Sequence, residues 1–559
     1  MTSAAGSGPG QGAPGAGEGD GAPEAGPHAA HAAGETPPAT ATAESITSAV
    51  TEAYEAEAPP STTGGGGDIR SREMSVALRN GLKMGGSLLI TWTVAMIVKF
   101  EVPRYLGPVR QGHFGFSESF AAMFFSMLSL GVETHIIKEV AVRPRYASDV
   151  IGGVFAIRAC LSVILLAAMG ITLWATGRSP DVIAAALVFG GMNILGSFNG
   201  TYGAVLQAIS RVEPAVVANI LTKVVWGIGL LVALHLGAPL WVLALPAFVG
   251  EALRLTIMIP STRRLAKLEY RINVREIRKA LLESVPYFVN GLALGILNGL
   301  GMSVLEYIRK DEREVGWFAA DQNLGYLCML LSPILFWVVM PLLSRAQARS
   351  KEEGIQVFRR CLEGIVVAII PITVLISAGA DILVRFAFRA EYLPAATGLS
   401  ILSLVFIMTY MNMMFAMNLI VTGRGWSVTV ISICSVFVSA TLNLLFVPLG
   451  RHLLGEGGEC AGAAASVIGS EAFVVIAMLT RFETLPLDAR NLATGGKSVA
   501  IGALILVLNH YIRGLGPLRL VLEGLLYVAL AFVLRVVRVR ELAHVVSLVR
   551  KRGEPVVVV

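Results

Sequence analysis

Charge is what this 559-residue chain has least of, with Asp, Glu, Lys and Arg making up 15% of it against 54% hydrophobic residues and a mean hydropathy of +0.67. A soluble domain needs more polar surface than that, so the composition specifies a membrane protein. Cysteine is also scarce. Cys160, Cys328, Cys361, Cys434 and Cys460 are scattered, four of them in or beside apolar runs and none in CxxC spacing, which excludes a disulfide scaffold. The eight histidines form no HExxH and no Cys/His cluster, so the sequence offers neither a metal nor a cofactor site. GxGxxG-like runs occur only in the N-terminal tail and in flexible stretches such as Gly455 to Gly458, without the strand, turn and helix of a phosphate-binding loop. Residues 1–68 lack Lys and Arg altogether while holding nine acids, so the remaining residues carry +15 and the pI of 9.1 describes neither part. The positive charge is therefore not read as a nucleic-acid surface.

Residues 1–70, rich in Gly, Ala, Pro and Thr, bury too little apolar area to offset ordering entropy and are expected to form a disordered cytoplasmic tail. They have no basic start and no apolar core, so they are not a signal peptide, and the first membrane helix is expected to direct insertion. From Leu82 on, about fourteen apolar segments recur, each of the roughly 20 residues that cross a hydrocarbon core as a helix. The expected spans are 82–100, 114–132, 151–176, 182–208, 214–235, 238–260, 285–308, 316–343, 362–388, 395–421, 425–449, 460–480, 497–514 and 517–537. Lipid leaves unpaired backbone groups unsatisfied, which requires helices, and the alternating strands of a β-barrel are absent from the sequence.

With the tail inside, the inner segments collect about 30 of the 45 basic residues, which places both termini in the cytoplasm. Four cations, Lys99, Arg158, Lys223 and Arg254, fall within spans. Trp174, Trp241, Trp317 and Trp426 fall at span ends, as an aromatic belt would have them. Between spans six and seven, Arg263 to Glu283 is basic, with apolar spacing suited to an amphipathic surface helix. The outer loops are too short to house a hydrolytic or glycosyl-transfer domain, so the work must lie within the membrane and the chain is not expected to be an enzyme.

An internal repeat is legible. Gln111-Gly112-His113-Phe114-Gly115-Phe116-Ser117-Glu118 opens the second span, and Val315-Gly316-Trp317-Phe318-Ala319-Ala320-Asp321-Gln322 opens the eighth, with Gly and Phe in register. Gly250-Glu251-Ala252 in the sixth span pairs with Gly469-Ser470-Glu471-Ala472 in the twelfth. The expected fold is all-α and integral to the membrane. Two six-helix lobes (74–260 and 285–480), joined by a basic cytoplasmic linker (261–284), are related by a pseudo-two-fold along the membrane normal; helices 13–14 (481–540) and a cytoplasmic C-terminal tail (541–559) follow.

Tyr105-Leu106-Gly107-Pro108 followed by Gly112-His113-Phe114-Gly115 resembles the loop after the first helix in Wzx-type polysaccharide flippases of the multidrug/oligosaccharidyl-lipid/polysaccharide (MOP) exporter superfamily. Pro286-Tyr287 through Val315-Gly316-Trp317-Phe318 to Pro341-Leu342-Leu343-Ser344 is similar to that family's seventh and eighth helices. Glu391-Tyr392-Leu393-Pro394-Ala395-Ala396 resembles its turn before the tenth helix, and Gly458 to Ala465 the beginning of its twelfth. The resemblance spans roughly residues 74–540. It implies an inner-membrane flippase that moves undecaprenyl-pyrophosphate-linked oligosaccharide to the outer leaflet, alongside glycosyltransferases and a polysaccharide polymerase. A drug or cation antiporter of the related multidrug (MATE) branch and a lipid II flippase share that fold and stand as alternatives. A membrane-embedded polymerase or glycosyltransferase is a third reading, disfavoured by the short outer loops.

A pyrophosphate-linked sugar cannot cross hydrocarbon unaided, so ionisable residues in spans are the candidates. For the substrate cavity these are Lys223, near mid-depth, with Arg158, Arg254 and Lys99; for ion coupling they are Glu471, Glu118, Asp321 and Glu251, acids suited to exchanging H⁺ or Na⁺. Arg254, three residues after Glu251, shares a helix face on which the two can neutralise each other. Asn290, Asn298, Gln322, Asn323, Asn412 and Asn443 are candidates for sugar hydrogen bonds or for polar contacts between helices.

Overall fold

Each apolar run becomes helix, and the runs are separated by turns whose backbone only a few residues tolerate. The computed structural model describes residues 66–536, apart from 210, 212, 310, 333–334, 336–338 and 483–486. The first two expected spans lie on one 60-residue helix, α1 (Gly66–Phe125), broken at Gly107, whose φ of 69° an L side chain rarely adopts. A 3₁₀ turn (Ser126–Ser129) and Gly131 (φ 65°) then break the second crossing, and α2 (Val132–Val142) continues it. A Cβ at Gly131 would strike the backbone of Ser284 and Phe288, so glycine here permits both the turn and a close helix crossing.

The first half is completed by α3 (Tyr146–Ala175), α4 (Pro180–Ala208), α5 (Glu213–His235) and α6 (Leu240–Ala266). The second half contains α7 (Val274–Ile308), α8 (Arg313–Gly325), α9 (Met340–Arg349), α10 (Lys351–Ala378), α11 (Ala380–Ala387), α12 (Ala395–Val421), α13 (Gly425–Leu454) and α14 (Gly458–Leu479). The last pair is α15 (Ala489–Tyr511) and α16 (Leu518–Val533). The fourteen expected spans fall on these helices, the eighth being built from α8, a 3₁₀ turn and α9. By length and composition, ten helices among the described residues suffice to cross a membrane, and Thr91–Ser129 with Val132–Ala141, bent by 40°, make an eleventh.

Packing repeats with the sequence. In the first half α4 and α5 pack on α6, and α1 on α4 and α5; in the second α12 and α13 pack on α14, α7 on α13 and α8 on α12. The α13–α14 contact is close because a Cβ at Gly462 would meet the carbonyl of Phe446, and one at Gly458 that of Gly450. The outermost pair attaches through α10, against which both α15 and α16 lie. Around the perimeter large apolar side chains such as Val163, Ile171 and Leu525 are exposed, whereas Asn, Ser and Glu lie inside. That distribution suits a body solvated by lipid.

Three expectations are corrected. Trp174, Trp241 and Trp426 are exposed at helix ends, but Trp317 is fully buried and donates its indole N–H to the Glu391 carbonyl at 2.9 Å, so it holds a turn and forms no part of a belt. The basic linker is not a separate surface helix. Lys267, in the left-handed region, ends α6; the Arg271 and Asn273 amides donate to the Ser148 and Asp149 carbonyls; and the Asn273 side chain caps α7, which then runs unbroken into the membrane. Residues 66–70 of the expected tail already belong to α1, while residues 1–65 and the expected C-terminal tail 541–559 lie outside the described residues.

Candidate functional site

The two repeat motifs meet each other. A Cβ on Gly112 would lie 2.8 Å from the Gly316 nitrogen, and one on Gly115 would lie 3.0 Å from the Ala319 Cβ, so α1 and α8 are packed backbone to backbone across the two halves. At that end Tyr392 donates its hydroxyl to the Pro103 carbonyl at 3.1 Å. Arg104 donates to the carbonyls of Ala387 (2.5 Å) and Phe386 (2.6 Å). Arg178, from the turn before α4, pairs with buried Glu306 on α7, which Arg309 also holds at 2.9 Å. The end carrying Gly107 is thus closed by contacts from both halves. At the opposite, basic end the halves are tied through α7, where Lys138 reaches the Tyr287 hydroxyl at 2.9 Å and His135 faces Glu283 at 3.3 Å.

Below that closure Lys99 on α1 donates to the Asn323 side chain on α8 at 3.1 Å and lies within Coulomb range of Glu118 and Lys223. Lys223 is half-buried, its ammonium 5.0 Å from the Trp226 ring centre, and Glu118 is exposed. Lys99 thus has two more of the sequence's candidates in electrostatic range, Glu118 on its own helix and Lys223 on α5, with Asn323 of α8 in direct contact: two cations and one acid. Such a group can take an anion while an adjacent carboxylate limits the net positive charge.

Arg158, another candidate, is fully buried on α3, with both terminal guanidinium nitrogens engaged and its Nε without a partner: it pairs with Glu133 at 2.6 Å and donates to the carbonyls of Ser129 and Ser197 and the Thr201 hydroxyl. It clamps the broken second crossing to α3 and α4. Beside it a cavity of about 320 Å³ is lined by Ser126, Ser129, Glu133, Asn193, Ser197 and Glu251, among others. Glu251 pairs with Arg254 at 3.6 Å, as their spacing indicated, and accepts from Asn199 at 2.8 Å.

In the second half Asn412 on α12 donates to the Glu471 carboxylate on α14 and to its carbonyl at 3.1 Å. Asp321 is fully buried, unlike exposed Glu118, its nearest counterpart in the sequence repeat; it accepts from the Cys460 thiol at 3.1 Å, and its other oxygen has no partner. Glu314 caps the start of α14 by accepting from the Gly457 and Cys460 amides, each at 2.8 Å. Of the amides proposed for sugar contact, Asn290 accepts from Ser432 at 3.1 Å and Asn443 bonds back to its own helix.

The sequence reading missed Glu133, Asn199, Glu306 and the buried pair Arg519 and Glu523 on α16. Arg519 and Glu523 were detectable as ionisable residues one turn apart in an apolar run; Glu133 falls one residue beyond the second expected span, 114–132.

Residues 77–347 match the family described as polysaccharide biosynthesis protein. Among solved structures, the lipid II flippase MurJ in an inward closed conformation superposes with a TM-score of 0.63 at 13% identity, over 80% of this chain and 98% of that one. An inward-facing multidrug resistance MATE family transporter of the MOP superfamily gives 0.55 at 16% identity, over 70% of this chain and 93% of that one. The Vibrio cholerae MATE transporter VcmN in its bent form gives 0.50 at 16% identity, over 74% and 99%. No curated protein matches the chain.

Proposed function

We infer that this chain, a multi-pass membrane protein with the MOP transporter fold and a polysaccharide-biosynthesis match over residues 77–347, is a flippase for an undecaprenyl-pyrophosphate-linked oligosaccharide in surface polysaccharide assembly. The observation that carries this reading is the cluster of Lys99, Lys223, Glu118 and Asn323 where the two halves meet, joined to the match with a family of polysaccharide biosynthesis. A diphosphate needs cations at the lobe interface, and a saccharide needs amide and carboxylate partners; the cluster supplies both. The membrane is the bacterial inner membrane, with the basic end cytoplasmic. The closure at the Gly107 end then faces outward, and substrate enters from the basic end. Alternating access breaks the Gly112–Gly316 packing to release it, with Glu251, Glu471 or Asp321 taking up H⁺ or Na⁺.

Deletion of the gene tests this: lipid-linked repeat units should accumulate facing the cytoplasm and surface polysaccharide should be lost. Normal surface polysaccharide without accumulation overturns the reading. Energy-dependent dye efflux by vesicles would point to the antiporter alternative, and loss of peptidoglycan precursor transfer to lipid II transport.

A further inference from the structure

The cavity beside Arg158 is walled by the turn between α1 and α2, the start of α2, one face of α4 and Glu251 of α6. At about 320 Å³ it falls near the lower end of small-molecule sites, which run from roughly 300 to 1,000 Å³. Gly196 of α4 leaves it open, since a Cβ there would meet nothing within 4 Å.

Charge decides what the cavity can hold. Two of its lining residues are acids, and each is already matched by a guanidinium: Glu133 by Arg158 at 2.6 Å and Glu251 by Arg254 at 3.6 Å. A further cation would meet two arginines and a diphosphate two carboxylates, so the balance favours a neutral ligand.

The free hydrogen-bonding capacity is mostly that of acceptors. Glu133 gives one oxygen to Arg158, and its other makes no hydrogen bond among the described residues. The Asn193 amide donates to the Phe189 carbonyl at 2.9 Å, which leaves its side-chain oxygen to accept. Ser126 and Ser197 donate to the Met123 and Ile194 carbonyls and keep their lone pairs, while the buried Ser129 hydroxyl has no partner. A ligand rich in O–H groups and without charge meets these needs, and a sugar ring is such a ligand. Phe125 and Met192 supply an apolar wall for its C–H face. The Thr222 hydroxyl of α5 donates to the Gly250 carbonyl of α6 at 3.0 Å, which sets Lys223 and Glu251, the next residue on each helix, at one level of that helix pair.

We propose that this cavity is a binding subsite for one neutral sugar ring of the lipid-linked saccharide, with Glu133, Glu251, Asn193 and Ser129 holding its hydroxyls while Arg158 and Arg254 balance the two acids. The source of the sugar rests on the polysaccharide reading above; its chemistry, a neutral polyol, comes from the cavity alone.

Saturation-transfer NMR on the full chain in lipid nanodiscs tests it, with the methyl glycosides of glucose, galactose, mannose and N-acetylglucosamine as probes and those of glucuronic acid and glucosamine as charged controls. At least one neutral glycoside should show transfer, and the charged controls should not. Gly196→Leu, whose side chain enters the open space, should bring transfer down to that of empty nanodiscs without lowering the thermal midpoint. Should that variant not fold, Asn193→Ala supplies the measurement and should weaken binding roughly two- to tenfold, the change expected of one hydrogen bond. Transfer to no neutral glycoside, equal transfer to the charged controls, or a signal unchanged in both variants overturns the proposal. A wild-type midpoint that rises with sodium, and no longer does so in Glu251→Gln, would mark a cation site and overturns it as well. Glycoside binding with normal surface polysaccharide after gene deletion would keep the site and remove the flippase reading; loss of surface polysaccharide with no glycoside binding would do the reverse.

Discussion

Asn199 of α4 donates its amide to Glu251 of α6 twice, to the carboxylate at 2.8 Å and to the carbonyl at 2.9 Å. Asn412 of α12 repeats both bonds with Glu471 of α14. The two acids are those matched by the sequence repeat, and the amides that hold them, 52 and 59 residues earlier, are what the folded halves add. Each pair secures the fourth-to-sixth helix contact of its half.

Double-mutant cycles on Asn412→Ala and Glu471→Gln, read as unfolding free energies in detergent, should give a coupling of roughly 0.6 to 1.7 kcal/mol, the range of polar contacts between membrane helices. The Asn199 and Glu251 cycle should give a similar value. Because the pairs lie in different halves, their effects should add. A coupling near zero would remove the pair as a structural element.

Lys99→Ala and Lys223→Ala should each reduce polysaccharide export at unchanged membrane expression, the double variant more than either, and Lys99→Arg should restore part of it because the charge is retained. Glu471→Gln should also impair export. Surface polysaccharide per unit of protein is the measurement, and wild-type export in the lysine double variant would remove the interface cluster from the transport path.

Gly316→Ala should prevent closure at the Gly107 end, since its methyl would overlap the Pro108 carbonyl oxygen. Overpacking of this kind costs about 1 to 3 kcal/mol, and here only the closed state bears it. Export should fall at least tenfold, and a cysteine placed in the α1 to α8 contact should become open to a membrane-impermeant thiol reagent. Full export with a protected cysteine would show that the closure tolerates the methyl.

Arg158→Ala should destabilise the protein by roughly 3 kcal/mol, because it strips Glu133 and the Ser129 carbonyl of this donor and leaves a half-buried carboxylate without its cation. Combining it with Glu133→Gln should recover part of the loss. The readout is the unfolding midpoint together with export. A stable Arg158→Ala protein that folds normally and fails only in export would instead give the arginine a direct role with substrate.

Much of the plan was legible along the chain. Hydropathy located the apolar segments, ten or eleven of which among the described residues are long and apolar enough to cross a membrane. The two repeat motifs pointed to two halves without showing that their glycines touch. Glu251 with Arg254 was readable as a pair because three residues bring side chains together on a helix. Trp317 was misread because a tryptophan at a span end looks the same whether it faces lipid or a neighbouring turn. The linker was misread because its apolar spacing continues into α7, and only the Asn273 cap and the bonds to Ser148 and Asp149 show where one helix ends and the next begins.

The sequence by itself determined that the chain is a multi-pass membrane protein and where its apolar segments lie, because transfer from water to hydrocarbon is decided locally, over about 20 residues at a time. The tertiary structure alone decided what those residues do. Arg158 is spent on Glu133, Lys99 meets Asn323 across 224 positions, and Glu523 is left facing no partner. A buried charge takes its role from the groups within a few ångströms of it, and in this fold those groups come from distant parts of the chain.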